Sequence, residues 1–277
     1  MGEETMAIEE KIFTTVEIEQ LSVHSDYLER EVIVDVYLPK NKETTAKVSL
    51  LLVNDGQDLV TMSFGAILDR LFFFGHIEPL ICAAIHCSED RINEYGTVCR
   101  TDYKGRGAKA GLYNKFIFDE LLPFLKKQLK IASFKDKSFA GFSLGGLSAL
   151  DIVWNRPDEF AKVGVFSASL WWRRKGYEEQ GYNWEKDRIM HLQVQKGRCF
   201  PWLQFFFECG LLDETADRNN NGIIDSIEDT TDLINDLKAI GYTDEHIHYL
   251  ELEDGEHNIA TWARSFPAFL KWGWGAQ

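Results

Sequence analysis

The residues with the clearest chemical potential are Gly141-Phe142-Ser143-Leu144-Gly145-Gly146. They fit G-x-S-x-G, in which a strand turns sharply into a helix and holds a serine hydroxyl at the apex. Glycines two residues to either side let the strand and helix approach. The helix N-terminus favours the negative charge that develops when a hydroxyl attacks an acyl carbon. At ordinary glycine and serine usage the bare pattern arises by chance in roughly one chain in ten of this length, so alone it is weak. Its setting strengthens it: a short strand pattern precedes it and an apolar helix pattern follows. Without that setting it is a Gly/Ser turn with no chemistry.

A serine nucleophile needs a base and an acid, and on a strand–turn–helix scaffold they follow it in the order acid, then histidine. Of the seven histidines, His257 fits, because Glu251 to Glu256 leave a strand through a Gly-marked loop just before the last helix. His246 and His248 flank or lie within a strand, and His24, His76, His86 and His191 lie elsewhere or precede the acid candidates. Asp213, shortly after the run Phe205-Phe206-Phe207-Glu208-Cys209-Gly210, is the expected acid. Glu214, Asp217 and Asp225 compete with it, and in so acidic a chain each carboxylate is otherwise a solvated loop residue. The acid orients the imidazole and stabilises its cation. Backbone N–H groups for an oxyanion are expected from Gln57, in the turn Asp55-Gly56-Gln57-Asp58, and from Leu144.

A second constellation adjoins the acid. Asp217 to Glu228 fits the twelve-residue EF-hand calcium loop. Oxygen-bearing side chains stand at Asp217, Asn219, Asn221, Asp225 and Glu228, with Gly222 at the tight turn and the carbonyl of Ile223 completing the set. No helix pattern precedes the loop, so it reads as a one-sided calcium loop with a structural ion, against the plainer reading of a polar Asn/Gly loop. No cofactor is expected for catalysis.

Strands and helices alternate around these residues. Strand patterns cover Glu31–Pro39, Val48–Val53, Leu80–His86, Ser138–Phe142, Val163–Ser167, Trp202–Glu208 and His248–Leu252. Helical spacing covers Leu59–Phe74, Leu112–Leu129, Leu144–Trp154, Thr230–Ile240 and about Ile259–Trp272. Ser88–Gly111 is a long polar loop and Ala168–Arg198 an aromatic-rich excursion. Such alternation implies an α/β fold with a mostly parallel sheet covered on both faces, with the first strands antiparallel at one edge. With neither repeat nor linker, residues 1–277 read as one domain.

Composition sets the outer bounds. Of the 277 residues 45% are hydrophobic and 13% aromatic, enough for a sizeable core, and the net charge is −14. That charge argues against nucleic acid and against anionic membrane surfaces, and favours solubility. The acidic Met1–Lys11 stretch has no apolar signal core, the Gly2 segment lacks a myristoylation serine or threonine, and no apolar run reaches bilayer length. The five cysteines (82, 87, 99, 199, 209) are odd in number and lack metal spacing, so buried free thiols and a cytoplasmic location are expected.

In combination these residues resemble the esterase family that includes enterochelin esterases, S-formylglutathione hydrolases and feruloyl esterase modules. The likeness spans about Val32 to Trp272. It rests on Asp55-Gly56-Gln57-Asp58, Arg91 with Glu94-Tyr95, Gly105-Arg106-Gly107 through Lys109 and Tyr113, and Glu120-Leu121-Leu122-Pro123. It continues through the Ser143 turn, Ser167-Ala168-Ser169 with Trp171-Trp172, and His257. The resemblance implies the α/β-hydrolase fold, ester hydrolysis through an acyl-enzyme, Ser143, Asp213 and His257 as triad, and Gln57 as oxyanion donor. It further implies a pocket from the Arg91–Tyr113 region, taking in Arg91, Tyr95, Lys109 and Tyr113. Trp171 and Trp172 read equally as an acyl wall or as core, and Arg173 and Arg174 could meet an anionic substrate. The expected substrate is a small acyl or aryl ester, of siderophore or acylated-sugar type. Acyl transfer on the same triad and a catalytically silent binding protein are the alternatives.

Overall fold

Runs rich in β-branched and aromatic residues form the sheet of the computed structural model, which describes residues 15–40 and 48–276. Its strands are β1 (Val16–Ser25), β2 (Arg30–Pro39), β3 (Ser49–Asn54), β4 (Leu80–Ile85), β5 (Lys137–Phe142), β6 (Lys162–Phe166), β7 (Gln204–Leu212) and β8 (Ile247–Glu256). They hydrogen-bond in the order β1-β2-β4-β3-β5-β6-β7-β8. β1 pairs antiparallel with β2, and β2 with β4; every later pairing is parallel. This is the mostly parallel α/β sheet that the alternation implies, in the α/β-hydrolase arrangement that the resemblance implies. The stretch Met1–Lys11, read above for targeting signals, lies outside the described residues.

Burial explains which strands stand where. β3 and β4 are buried along their whole length, as a central parallel strand covered on both faces must be. Alternate residues feed two core layers. Leu50, Leu52, Phe139, Phe205 and Phe207 pack against the segments Ala110–Leu129, Leu144–Asn155 and Asp225–Ala239. Leu51, Val53, Phe142, Phe166 and Phe206 pack against Phe64–Phe73 and Ile259–Trp274. Each fully buried Leu or Phe contributes about 1.5–3 kcal/mol of transfer free energy.

The departures from the sequence reading have local causes. The helix expected over 59–74 is two helices, Asp58–Thr61 and Phe64–Phe73, broken where Ser63 adopts a left-handed backbone, φ 54°. The helix expected from Leu112 begins at Ala110 and passes through a π-helical segment, Phe116–Leu121, before resuming to Leu129. The helix placed at Thr230 begins at Asp225, inside the expected calcium loop. β1 was not singled out from the sequence; it forms an edge hairpin with β2 through ten residue pairs. All five cysteines are free; Cys82 and Cys209 are buried as expected, but Cys99 is exposed.

Candidate active site

Ser143 sits at the turn between β5 and the helix Leu144–Asn155, with φ 52° and ψ −121°. A non-glycine residue holds such a conformation only where its surroundings over-determine it. The flanking glycines show what does so. A Cβ on Gly141 would lie 2.3 Å from the Gly145 carbonyl oxygen, and one on Gly145 would lie 2.4 Å from Asp55 Oδ2. Strand and helix therefore touch backbone to backbone, and the helix backbone lies against the Asn54 and Asp55 side chains of the β3 turn. The Ser143 N–H donates to the Phe166 carbonyl at 2.9 Å, and its own carbonyl accepts from Ser169 N–H at 3.1 Å.

β7 and β8 deliver the other two candidates side by side. Leu212 pairs with Glu256, so Asp213 and His257, the next residue of each strand, emerge together at the sheet edge that also carries Ser143. The strands close tightly there, since a Cβ on Gly210 would meet the Gly255 carbonyl at 2.2 Å. His257 is then fixed by the helix that follows: Asn258 caps it, its Oδ1 accepting from Thr261 N–H at 2.9 Å, and Trp262 meets the imidazole edge-on at 5.3 Å. His257 is exposed. Desolvation by its neighbours lowers the His257 pKa; Asp213 opposes that shift and Arg91 adds to it. Asp213 is partly buried, which raises its pKa. Its Oδ1 accepts from Ser167 Oγ at 3.2 Å, while Oδ2 is buried without a partner. That second oxygen is the one left for an imidazole N–H.

The turn after β3 completes the edge. Gly56 is obligatory, because a Cβ there would lie 2.4 Å from the Ala84 backbone. Asp55, left-handed at φ 59° and buried, takes both Arg91 Nε and Nη2 at 2.7 Å. Asn54 ties the turn to the serine helix: its Nδ2 donates to the Gly145 carbonyl at 2.8 Å and its Oδ1 accepts from Tyr113 Oη at 2.6 Å. Among the described residues, the N–H groups of Gln57 and Leu144 donate to no protein acceptor, as expected of groups at the starts of helices.

Residues 25–272 match the family model described as "Putative esterase". The chain belongs to that family. Among solved structures it is similar to a ferulic acid esterase at 16% identity and TM-score 0.67, covering 93% of this chain and 97% of that one. It is similar to enterobactin esterase from Shigella flexneri at 21% identity and TM-score 0.71, covering 92% of this chain but 58% of that one. An IroE-like serine hydrolase from Shewanella oneidensis matches at 18% identity and TM-score 0.64, covering 92% and 79%. At these identities the likeness is one of fold. Comparison with curated proteins gives no match.

The pocket residues expected of this esterase separate into two groups. Tyr95, Tyr113 and Trp172 are fully buried, so they support the site from behind rather than line it: a correction for Tyr95 and Tyr113, and for Trp172 the core reading of its two. Their rings have structural work: Tyr95 Oη accepts from Asp55 N–H at 3.2 Å, and Trp172 fills the space above Gly96 and Gly107. Lys109 is a surface residue paired with Asp90 at 2.7 Å. Arg91 and Trp171 remain partly exposed, with Arg106 stacked over Trp171 at 4.9 Å. Arg173 is buried among Tyr103, Tyr177 and Trp171, and Arg174 pairs with Asp187.

Two competitors for the acid, Asp217 and Asp225, belong to the 217–228 segment. Asp217 accepts from Asn221 and Gly222 N–H, Asn219 Oδ1 from Asn221 N–H, and Asn221 Oδ1 from Ile223 N–H. These turns shape the expected calcium loop. Its carboxylates are already engaged, however: Arg218 reaches Asp225 at 3.0 Å and Glu228 at 3.4 Å, and Glu228 also accepts from the Asn219 and Asn221 amides. Among the described residues no group of three or more His, Cys, Asp or Glu is arranged to hold a metal. Sequence reasoning also passed over two residues at the acid's back, Ser167 and Glu208. The available signal was a lone carboxylate inside the apolar run Phe205–Gly210.

Proposed function

We propose that this esterase is a serine carboxylic-ester hydrolase working through an acyl-enzyme. Ser143 is the nucleophile, His257 the general base and acid, and Asp213 the carboxylate that orients the imidazole. The observation that carries the reading is the strained Ser143 turn beside two partnerless N–H groups, at the sheet edge where β7 and β8 emit Asp213 and His257. Ser143 Oγ adds to the ester carbonyl as its proton passes to His257. The resulting oxyanion takes the N–H groups of Gln57 and Leu144. His257 then protonates the departing alcohol, and water repeats the sequence against the acyl-enzyme. The exposure of His257 gives water access to the base, which favours hydrolysis over transfer to another alcohol.

The family suggests the substrate class: a small acyl or aryl ester, of siderophore or acylated-sugar type, with Arg91 and Trp171 the partly exposed residues left to meet it. The net charge of −14 argues against nucleic acid and anionic membrane surfaces as partners. The test is turnover of a short-chain nitrophenyl ester by wild type, with Ser143→Ala losing at least about 10⁴-fold in kcat. Undiminished turnover by that variant would remove the nucleophile from the reading.

For residues 217–228 we propose a structural calcium, held by Asp217, Asn219, Asn221, Asp225, Glu228 and the Ile223 carbonyl. The residue types fit a hard cation, and the ion would take over the charge compensation that Arg218 supplies. Calorimetric titration is expected to give binding by millimolar calcium, tightened in Arg218→Gln. Heat-silent titrations of both proteins would reject the ion.

A further inference from the structure

Behind the proposed triad lies a carboxyl group that the mechanism does not use. Glu208, on β7, is completely buried. It shares a sheet face with Phe206, against Phe166 and the helix that carries Trp262, Ser265 and Phe266. Its Oε1 has no hydrogen-bond partner, and its Oε2 lies 3.5 Å from Ser167 Oγ. The same hydroxyl lies 3.2 Å from Asp213 Oδ1 and accepts from Trp262 Nε1 at 3.1 Å. Ser167 is held in this place by its left-handed backbone, φ 43°, and by its N–H, which donates to the Glu208 carbonyl at 2.8 Å.

Counting protons decides the state of this cluster. A serine hydroxyl has one proton to give and two lone pairs to accept with. Trp262 takes one lone pair. If both carboxyls were ionised, they would compete for the single Ser167 proton; the neighbouring Ser265 hydroxyl gives its proton to the Trp262 carbonyl at 3.2 Å, so one anion would lie in the core without a donor. A neutral Glu208 removes the conflict: its O–H fills the second lone pair, and the Ser167 proton is free for Asp213. We propose that Glu208 is a positioning residue, a neutral carboxylic acid that acts through Ser167 Oγ to hold Asp213 in line with His257. The chain reads Glu208 O–H to Ser167 Oγ and Ser167 O–H to Asp213 Oδ1, which leaves Asp213 Oδ2 free to accept the His257 N–H during the reaction.

Burial, and then the negative charge of Asp213, push the Glu208 pKa up to about 8, in keeping with the neutral form at pH 7. The other titratable or charged groups near it are Arg264, Cys209 and Tyr249. Arg264 is already paired with Asp254 at 2.7 Å, and the Cys209 thiol and Tyr249 phenol are both raised by burial. Above pH 8 the O–H donor disappears and a second charge stands behind Asp213.

The inference rests on the triad reading, and the test separates the two. With a nitrophenyl ester, Glu208→Ala should lose about tenfold or more in kcat with KM within twofold, since small misplacements of catalytic groups are costly. Glu208→Gln, which keeps a neutral donor, should recover most of that loss. In wild type kcat should fall through an ionisation near pH 8 that is missing from Glu208→Gln. Ser167→Ala combined with Glu208→Ala should cost little more than either alone. Equal losses in Gln and Ala, or an unchanged alkaline limb in Glu208→Gln, overturn the proposal while leaving the triad intact. The Gln variant keeps side-chain volume, so its pH profile decides the matter even if Glu208→Ala fails to fold. Full activity of Ser143→Ala would instead overturn the triad, and this inference with it.

Discussion

The two halves of the site are built by different physics. The nucleophile half, from β3 and β5, is fixed by steric contact throughout. Gly56, Gly141 and Gly145 each stand where a methyl group would strike a neighbour within 2.5 Å, and Asn54 and Asp55 are fully engaged. The acid half, from β7 and β8, shares one such contact, at Gly210 and Gly255, but the acid itself is placed by side chains, and two of this half's buried carboxylate oxygens have no partner. The contrast teaches that steric positioning is all-or-none, whereas positioning through hydrogen bonds is graded and responds to pH.

Three substitutions sharpen or break that contrast. The largest effect is expected from Asp213→Asn, which leaves the shape unchanged but removes the charge that stabilises the imidazolium; kcat should fall about 10⁴-fold with the fold intact. A loss below tenfold would move the acid role to Glu214 or another carboxylate. Gly141→Ala probes the steric half. Its Cβ meets only backbone of Gly145 and Gly146, so strand and helix must part, costing about 1–3 kcal/mol of stability and about a hundredfold in kcat. A variant that melts and turns over like wild type would mean that the turn is compliant.

The smallest effect is a shift in pH dependence. The base must be neutral, so activity rises with pH through the His257 pKa. Burial and the Arg91 charge keep that pKa below the usual imidazole value, and neutral base therefore persists into mildly acidic solution. Arg91→Gln removes one of the two depressing influences, so the acidic limb of kcat/KM should move to higher pH. It also leaves Asp55 buried without its cation, at a stability cost of about 2–3 kcal/mol, measurable by denaturant titration. An acidic limb that stays in place would show that Arg91 is too well neutralised by Asp55 to act on His257.

The same contrast governs what the sequence discloses. Ser143, its glycines and the Gly56 turn are legible because steric demands fall on residues close together in the chain. His257 is legible by order, since a Gly-marked loop precedes a well-patterned helix. Tyr95 and Tyr113, expected in the pocket, lie under it, and Trp172 is core rather than wall, because an aromatic near a site carries no sign of which side it faces until the sheet is assembled. Glu208 and Ser167 meet across 41 positions of chain, a pairing that only the β6–β7 register creates. The Arg218 clamp was hidden for another reason. An arginine inside a calcium-loop pattern reads as an outward-facing filler, and its length lets it fold back onto Asp225 and Glu228.

Among the described residues β1 and β8 each pair on one side only, which gives the chain's acidity a further meaning. Both terminal strands are carboxylate-rich: β1 carries Glu17 and Glu19, and β8 carries Glu251, Glu253, Asp254 and Glu256. An uncovered strand offers its free N–H and C=O groups to any other extended chain, and charges along it keep a second molecule from adding on. Part of the −14 thus works as a fence at the two places where this sheet could otherwise grow without end. Acidification, which neutralises the fence, should make clumping through strand addition the first sign of failure, before the core itself gives way.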